Sequence, residues 1–288
     1  MKKLLYQLDT DSIPSVFDNV VAHDGGADVV VPYGGITPAN VGPLVEGAIF
    51  TRGPKDKKNT ALFVGGSDLV AGETLFSAIQ KQFFGSFRVS VMLDSNGANT
   101  TAAACVAYLE QGRSLAGMDA VILGGTGPVG QRVAVMLTQA GASVRLVGRQ
   151  LSRTQGVCER LSQRFGMTIT PVEAADRDAR GAAIRDAEIV VSTGAAGVSM
   201  LEEGQWSHGS RLKLIADANA SPPLGIDGID MKDRATPRHG ALAFGPLGFG
   251  ALKLALHREC VGRLFESNDQ TLDAEQIFER ARALLAQS

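Results

Sequence analysis

The chain has 288 residues, of which 44% are hydrophobic and 20% charged, with 34 glycines and a formal net charge of -2. These values are ordinary for a folded globular protein and exclude a largely disordered chain. The small net charge excludes a general attraction to nucleic acid or to an anionic membrane surface, so we expect neither as a partner.

The N-terminal segment MKKLLYQLDTDS carries two lysines and a short apolar stretch that Gln7 and Asp9 interrupt. It is too short and too polar for a secretory signal or a membrane span. We therefore expect a cytoplasmic protein.

The first part of the chain alternates apolar runs of strand length with amphipathic segments of helix length, which predicts βαβ units. The predicted strands cover 4–8, 28–33, 60–65 and 87–93. Thr37 and Pro38 predict the start of one helix, and Asp68 predicts the cap of a second that ends near Gly85. The alanine-rich segment 99–111 predicts a helix that connects this lobe to the next.

The same alternation continues in a second lobe. Strands are predicted at 120–123, 143–147, 167–170, 188–192 and 212–216, spaced for right-handed crossovers. Helices 251–266 and 273–286 follow an irregular stretch, 221–248. We predict an α/β fold of two lobes: residues 1–105, completed by the C-terminal helices 251–288, and a Rossmann-type domain, 106–250, with a mostly parallel sheet.

The three cysteines, Cys105, Cys158 and Cys260, are odd in number and far apart, and none forms a CxxC pair. This pattern predicts small buried side chains, with neither a disulfide nor a metal site.

The strongest motif is AVILGGTGPVGQRVAVMLTQAGASVRLVGRQLSR, from Ala120 to Arg153. A GxGxxG turn directly follows an apolar strand and opens a helix, which is the context that binding of a dinucleotide pyrophosphate requires. A glycine-rich turn without a ligand is the alternative. The predicted cofactor contacts in this turn are Gly125, Thr126, Gly127, Pro128, Val129 and Gly130.

The end of the next strand decides between NAD and NADP. NAD enzymes place a carboxylate there, about 20 residues beyond the glycines, to hold the ribose hydroxyls. This chain has Arg149 instead, 19 residues after Gly130, and Arg153 one helical turn later. Guanidinium groups pair with a 2′-phosphate, so we predict NADP as the cofactor. Two solvated arginines are the alternative.

Two further strand ends face the same edge of the predicted sheet. Thr193, Gly194 and Ala195 follow one strand, and their small size allows a nicotinamide to lie close to the backbone. Asp217 and Asn219 follow the next and are candidates to bind ribose or carboxamide. Turn formation is an equal alternative for these two polar residues.

The chain contains the long and unusual blocks DTDSIPSVFD, TRGPKDKK, FVGGSDLVAGE, FFGSFRVSVMLDSNGANTTAAA, GGTGPVG, ADANASPPLGIDGID and GALKLALHRECVGRLFES. Together these blocks resemble the NADP-dependent methylene-tetrahydromethanopterin dehydrogenases of methylotrophic bacteria. The resemblance implies a fold related to methylene-tetrahydrofolate dehydrogenases, a pterin-binding first lobe, an active site in the cleft between lobes, and a homo-oligomer that is a trimer or hexamer.

The implied reaction is reversible hydride transfer from methylene-tetrahydromethanopterin to NADP in one-carbon metabolism, with tetrahydrofolate as a second carrier. No cyclohydrolase activity is expected, because the tyrosine and lysine of bifunctional folate enzymes have no counterpart on one helix here. Another NADP-dependent dehydrogenase, acting on a shikimate-type substrate, and a non-catalytic NADP-binding protein are the alternatives.

Lys253 is the candidate catalytic residue, expected near the start of a helix after a flexible entry, 248–250. We hypothesise that it orients the pterin by hydrogen bonding; a solvated helix lysine is the alternative. Weaker candidates for substrate binding are Asp18, Asp94, Asn96, Asn99 and Thr100, for which helix capping and turn formation are the alternative.

Overall fold

The computed structural model describes residues 1–209 and 211–287. It divides into two compact units: Met1–Thr100 with Leu254–Leu284, and Thr101–Lys253 with the residues from Leu285 onward. Within the described residues, no helix is both long enough and apolar enough to cross a membrane.

The described residues of the two units form twelve strands and ten α-helices. The strands are β1 Leu4–Asp9, β2 Val29–Tyr33, β3 Thr60–Gly65, β4 Ser90–Leu93, β5 Asp119–Leu123, β6 Ser143–Gly148, β7 Thr170–Glu173, β8 Ile189–Ser192, β9 Leu214–Asp217, β10 Arg234–Arg238, β11 Ala241–Phe244 and β12 Thr271–Leu272. The helices are α1 Val16–Asp24, α2 Gly42–Phe50, α3 Leu69–Lys81, α4 Ala98–Glu110, α5 Pro128–Gln139, α6 Leu151–Phe165, α7 Arg177–Ala183, α8 Glu203–Trp206, α9 Pro246–Arg263 and α10 Ala274–Ala286.

The first unit contains a five-stranded sheet in the order β12-β4-β3-β1-β2, and every pair in it is parallel. The central strand β3 is buried along its whole length. Apolar side chains of α2 and α3, such as Val45 and Leu75, pack against β1, β3 and β4 in one continuous core. This explains why β3 is a continuous apolar run rather than an alternating one.

The second unit contains a seven-stranded sheet in the order β10-β11-β9-β8-β5-β6-β7. All pairs are parallel except β10 with β11. The chain runs outward from β5 through β6 to β7, and then returns to build β8 and β9 on the other side of β5. Loops at the carboxyl ends of β5, β6 and β8 therefore surround a topological switch point, where ligands of open α/β sheets bind.

The α/β class and the mostly parallel sheets are confirmed, and several elements lie where the sequence predicted them. Strand β3 has the predicted bounds. Asp68 caps α3 by accepting hydrogen bonds from the backbone N–H groups of Val70 and Ala71, although α3 ends at Lys81 rather than near Gly85.

Several local predictions were wrong. The helix predicted to begin at Thr37 begins at Gly42, because residues 37–41 form a separate turn and Pro43 lies in the first turn of α2. The strand predicted at 167–170 is β7, at Thr170–Glu173. Its proline, Pro171, is tolerated because β7 is an edge strand.

The stretch 221–248 is not irregular throughout, since β10 and β11 form an antiparallel hairpin within it. Its tip, His239 and Gly240, has positive φ at both residues (48° and 85°), which is the backbone of a tight hairpin turn. This hairpin extends the sheet beyond β9.

Candidate functional site

The glycine-rich turn joins the buried end of β5 to α5. Gly124 has φ of 68°, and a Cβ on it would lie 2.8 Å from the backbone of Gly194. A Cβ on Gly125 would lie 2.4 Å from a methyl group of Leu146. A Cβ on Gly130 would lie 2.6 Å from the Cα of Gly125. These three glycines are therefore required by packing, because any side chain would collide with neighbouring atoms of the protein.

Gly127 differs from the other glycines of the turn. The nearest atom to a Cβ placed on it is a carbonyl oxygen 3.5 Å away, which is ordinary contact. Its φ and ψ of -76° and 168° are accessible to any residue. Neither the space around it nor its backbone conformation therefore requires glycine here, and the open side of the turn has room for a ligand to approach the backbone.

The N-terminus of α5 starts at this turn without a side-chain cap. Gly127 is the N-cap residue and has no side chain to accept a hydrogen bond, and Pro128 fills the first position. The first turn of a helix carries a partial positive charge and outward N–H groups. Together these features make the turn suited to binding a pyrophosphate.

A cavity of about 340 Å³ lies beside the turn at the end of β6 and is lined by Thr126, Arg149, Gln150, Arg153 and Thr154. Both arginines are exposed, whereas Thr154 is fully buried. The structure therefore brings the two predicted arginines to one cavity, which also borders the glycine turn. Gln150 and Thr154 also line this cavity, which was not predicted from the sequence.

A hydrogen-bonded chain supports the turn from behind. The amide of Gln131 donates to the carbonyl of Thr126 at 2.9 Å and accepts from Arg160 at 2.7 Å. Gln131 lies on α5 and Arg160 on α6, so the two helices are linked at the turn. No sequence pattern indicated this pair, because the two residues are 29 positions apart along the chain.

The end of β8 lies directly against the glycine turn. The backbone N–H and the hydroxyl of Thr193 both donate to the carbonyl of Leu123, at 2.9 and 3.0 Å. Gly194 approaches Gly124, and Ala195 follows as an exposed residue. Small residues here are therefore required by the packing of the two turns, in addition to any contact with a ligand.

Asp217 and Asn219 use their side chains to fold their own loop. Asp217 is fully buried and accepts hydrogen bonds from the backbone N–H groups of Asn219 and Ile226, each at 3.0 Å. Asn219 donates to the carbonyl of Pro223 and accepts from the N–H of Ser221. These contacts favour the turn-forming alternative over a side-chain contact to the cofactor.

Burial raises the pKa of Asp217 from 3.8 to about 6, although backbone N–H donors act in the opposite direction. Because the folded protein then binds the proton more tightly than the unfolded chain, this contribution to stability is largest below about pH 4 and is lost as the pH rises through about 6. This rise in pKa corresponds to a change of about 3 kcal/mol in the free energy of unfolding between low and high pH.

We therefore expect Asp217→Asn to flatten the dependence of the unfolding free energy on pH between about pH 4 and 6. Urea unfolding of wild type and variant across this range would measure it. Parallel profiles for the two proteins would contradict the assignment.

The residues proposed for substrate binding are mostly buried in the first unit. Asp94 accepts hydrogen bonds from the backbone N–H groups of Asn99 and Thr100 and from the hydroxyl of Thr100. All three are fully buried, while Asn96 is exposed with φ of 57°. The geometry favours the capping of α4 as the role of Asp94, and leaves Asn96 as the accessible member of the group.

Asp18 lies in the first turn of α1 and is 8% exposed, and its backbone N–H is capped by the hydroxyl of Ser15. Its carboxylate lies close to the turn at the end of β3, since a Cβ on Gly65 would be 3.6 Å from its Oδ2. Asp18 therefore stays at the carboxyl edge of this sheet, where a ligand of the unit would bind.

Lys253 is half-buried in α9, but not at its start. The helix begins at Pro246, so the predicted flexible entry at 248–250 is helical, with Phe249 buried. Gly248 is required there because a Cβ would lie 1.9 Å from the carbonyl oxygen of Asp233. Lys253 is thus held on a rigid helix rather than after a hinge.

The three cysteines are buried, and burial raises the pKa of Cys105 to about 12 and of Cys158 to about 11; that of Cys260 is also raised by burial. Since the thiolate is the reactive form, we expect no labelling by a thiol reagent in the native protein at about pH 8, and three labelled groups after denaturation. Rapid labelling of one cysteine in the native protein would contradict this.

The sheet order of the second unit and the strand-turn-helix at Gly125–Gly130 define a protein of the Rossmann class. A quinate dehydrogenase of Corynebacterium glutamicum, solved with NAD, has a similar structure, with a TM-score of 0.55 over 99% of both chains and 15% identity. At this identity the likeness shows the fold alone.

Sequence comparisons identify the family more narrowly. A family model described as the N-terminal part of methylene-tetrahydromethanopterin dehydrogenase matches residues 16–96. The chain is 50% identical to the bifunctional protein MdtA of Methylorubrum extorquens, over 98% of this chain and 99% of the relative. It is 31% identical to the NAD(P)-dependent methylenetetrahydromethanopterin dehydrogenase of the same organism, over 93% of both chains. The chain therefore belongs to the methylene-tetrahydromethanopterin dehydrogenase family.

Proposed function

We propose that the protein catalyses reversible hydride transfer from methylene-tetrahydromethanopterin to NADP, giving the methenyl form and NADPH. The observation that carries the proposal is the cavity lined by Arg149 and Arg153 beside the open glycine Gly127, in a chain of this family. The two arginines would hold the 2′-phosphate, and the turn with the N-terminus of α5 would hold the pyrophosphate.

The chemistry needs few acid or base groups. In the substrate, the methylene carbon lies between two nitrogens, whose lone pairs delocalise the positive charge left when hydride departs. Bound NADP supplies the hydride acceptor at the C4 atom of its nicotinamide. The protein's contribution is then to position the two reactants and to exclude water. We assign the second unit to NADP and the first to the pterin.

Steady-state assays with purified protein test this directly. We expect NADPH formation with methylene-tetrahydromethanopterin, a second activity with methylene-tetrahydrofolate, and accumulation of the methenyl product, since no cyclohydrolase activity is proposed. Quinate and shikimate should give no turnover. NADP binding without turnover on either carrier would contradict the catalytic proposal.

Lys253 is proposed to orient the pterin by hydrogen bonding. We expect Lys253→Ala to lower kcat at least about tenfold, since the hydrogen bond of a charged group is worth about 1.5–3 kcal/mol, with NADP affinity unchanged. Lys81→Ala, at an exposed helical lysine, is the matched control and should be silent. Wild-type turnover in Lys253→Ala would remove this residue from the site.

The assembly is also a proposal, resting on family membership: a cytoplasmic homo-oligomer, either a trimer or a hexamer. Light scattering on the purified protein would measure the mass. A monomer at assay concentration would contradict it.

A further inference from the structure

The N-terminus of α6 is capped by a carboxylate from the neighbouring strand. Gln150, the N-cap residue, makes no side-chain cap, and instead the backbone N–H of Leu151 donates to Oε2 of Glu173 at 2.9 Å. The register of the sheet explains the contact, because Gly148 at the end of β6 pairs with Glu173 at the end of β7. The side chain of Glu173 thus reaches Leu151, shortly after the end of β6.

This carboxylate is adjacent to the arginine cavity. Leu151, whose N–H donates to this carboxylate, lies between Arg149 and Arg153 along the chain and directly follows Gln150. Arg149, Gln150 and Arg153 all line the cavity. A helix N-terminus attracts anions through its first N–H groups and its partial positive charge. Glu173 already accepts a hydrogen bond from one of these N–H groups, and it places a negative charge beside the segment that carries the two arginines.

We propose that Glu173 is a specificity-determining residue of the cofactor site, and that its carboxylate weakens binding of the 2′-phosphate and so narrows the preference for NADP over NAD. This rests on the proposed NADP site. The carboxylate opposes the phosphate by charge repulsion, and it takes a helix N–H that a phosphate oxygen would otherwise bind. NAD, which has a hydroxyl at this position, is affected by neither.

Glu173→Gln tests the proposal because an amide oxygen still accepts the N–H of Leu151 while the charge is removed. We expect the dissociation constant for NADP to fall about threefold to tenfold at low ionic strength, as expected for a solvent-exposed charge near a phosphate. The constant for NAD should change less than about twofold. The gain for NADP should shrink in concentrated salt, which screens exposed charges.

Fragments of the cofactor test the effect of Glu173 on the 2′-phosphate without the nicotinamide half. Adenosine 2′,5′-bisphosphate should gain affinity in Glu173→Gln, whereas 5′-AMP should not. Glu173→Ala removes both the charge and the cap, so we expect a smaller gain for NADP and a lower melting temperature than in Glu173→Gln. This second variant separates the electrostatic effect from the structural one.

Glu159→Gln is the matched control. Glu159 is exposed on α6, about 12 Å along the helix axis from Leu151, and its substitution makes the same change in net charge. An unchanged ratio of NADP to NAD affinity in Glu173→Gln, or an equal gain in Glu159→Gln, would overturn the inference while leaving the proposed function intact. A wild-type protein that binds neither NADP nor the bisphosphate would overturn both.

Discussion

Gly127→Ala should weaken NADP binding strongly while leaving the stability of the fold nearly unchanged. The added methyl group meets no protein atom closer than 3.5 Å and the backbone suits alanine. Alanine lowers the entropy of the unfolded chain but is a poorer N-cap than glycine, so the free energy of unfolding should change by less than about 1 kcal/mol. The methyl group points into the space proposed for the pyrophosphate, and we expect the dissociation constant to rise at least about 100-fold, a loss near 3 kcal/mol. Isothermal titration and urea unfolding measure the two quantities.

Two further alanine variants make this result interpretable. In Gly130→Ala the methyl group would lie 2.6 Å from backbone, so we expect both binding and stability to fall, the latter by about 1–3 kcal/mol. Gly156 lies in α6 with open space around it, and Gly156→Ala should leave binding unchanged. Wild-type NADP affinity in Gly127→Ala would show that the turn does not hold the cofactor.

Arg149→Ala should weaken NADP about tenfold to 100-fold while changing NAD less than about twofold. A charge-assisted hydrogen bond contributes about 1.5–3 kcal/mol, and Arg149 lines the cavity at the end of β6 where the 2′-phosphate is proposed to bind. Arg153→Ala should act in the same direction, and the double variant should bind both cofactors with similar affinity. Binding titrations with NADP and NAD give both constants.

NAD serves as the internal control for the arginine variants, because it differs from NADP at the 2′ position alone. An equal loss of both cofactors in Arg149→Ala would mean that the arginine supports the loop rather than reading the phosphate. Unchanged NADP affinity would place the 2′-phosphate elsewhere.

The elements that the sequence predicted well are those with a local cause. Strand β3 is an apolar run of strand length, and Asp68 is an N-cap whose own backbone neighbours are its partners. The hairpin of β10 and β11 was missed because β10 is an exposed edge strand containing Pro237, so it lacks an alternating pattern. The sequence His239-Gly240 was a weak signal of its turn.

At the candidate site, the sequence located groups but not their directions. It placed Asp217 and Asn219 correctly at a strand end, yet whether their side chains turn toward a ligand or toward their own loop depends on the path of residues 218–226. Likewise it placed Lys253 on a helix but put the helix start several residues late, because the close contact of Gly248 with Asp233 is tertiary.

The sequence by itself determined the class of the second unit, the position of its glycine turn and the replacement of a carboxylate by Arg149, because each of these is written in residues close together along the chain. The tertiary structure decided which glycines serve packing and which one leaves space. It also brought Glu173 to the N-terminus of α6 and Arg160 to Gln131. Those contacts join residues more than 20 positions apart or on different elements, and only strand register and helix packing set their distances.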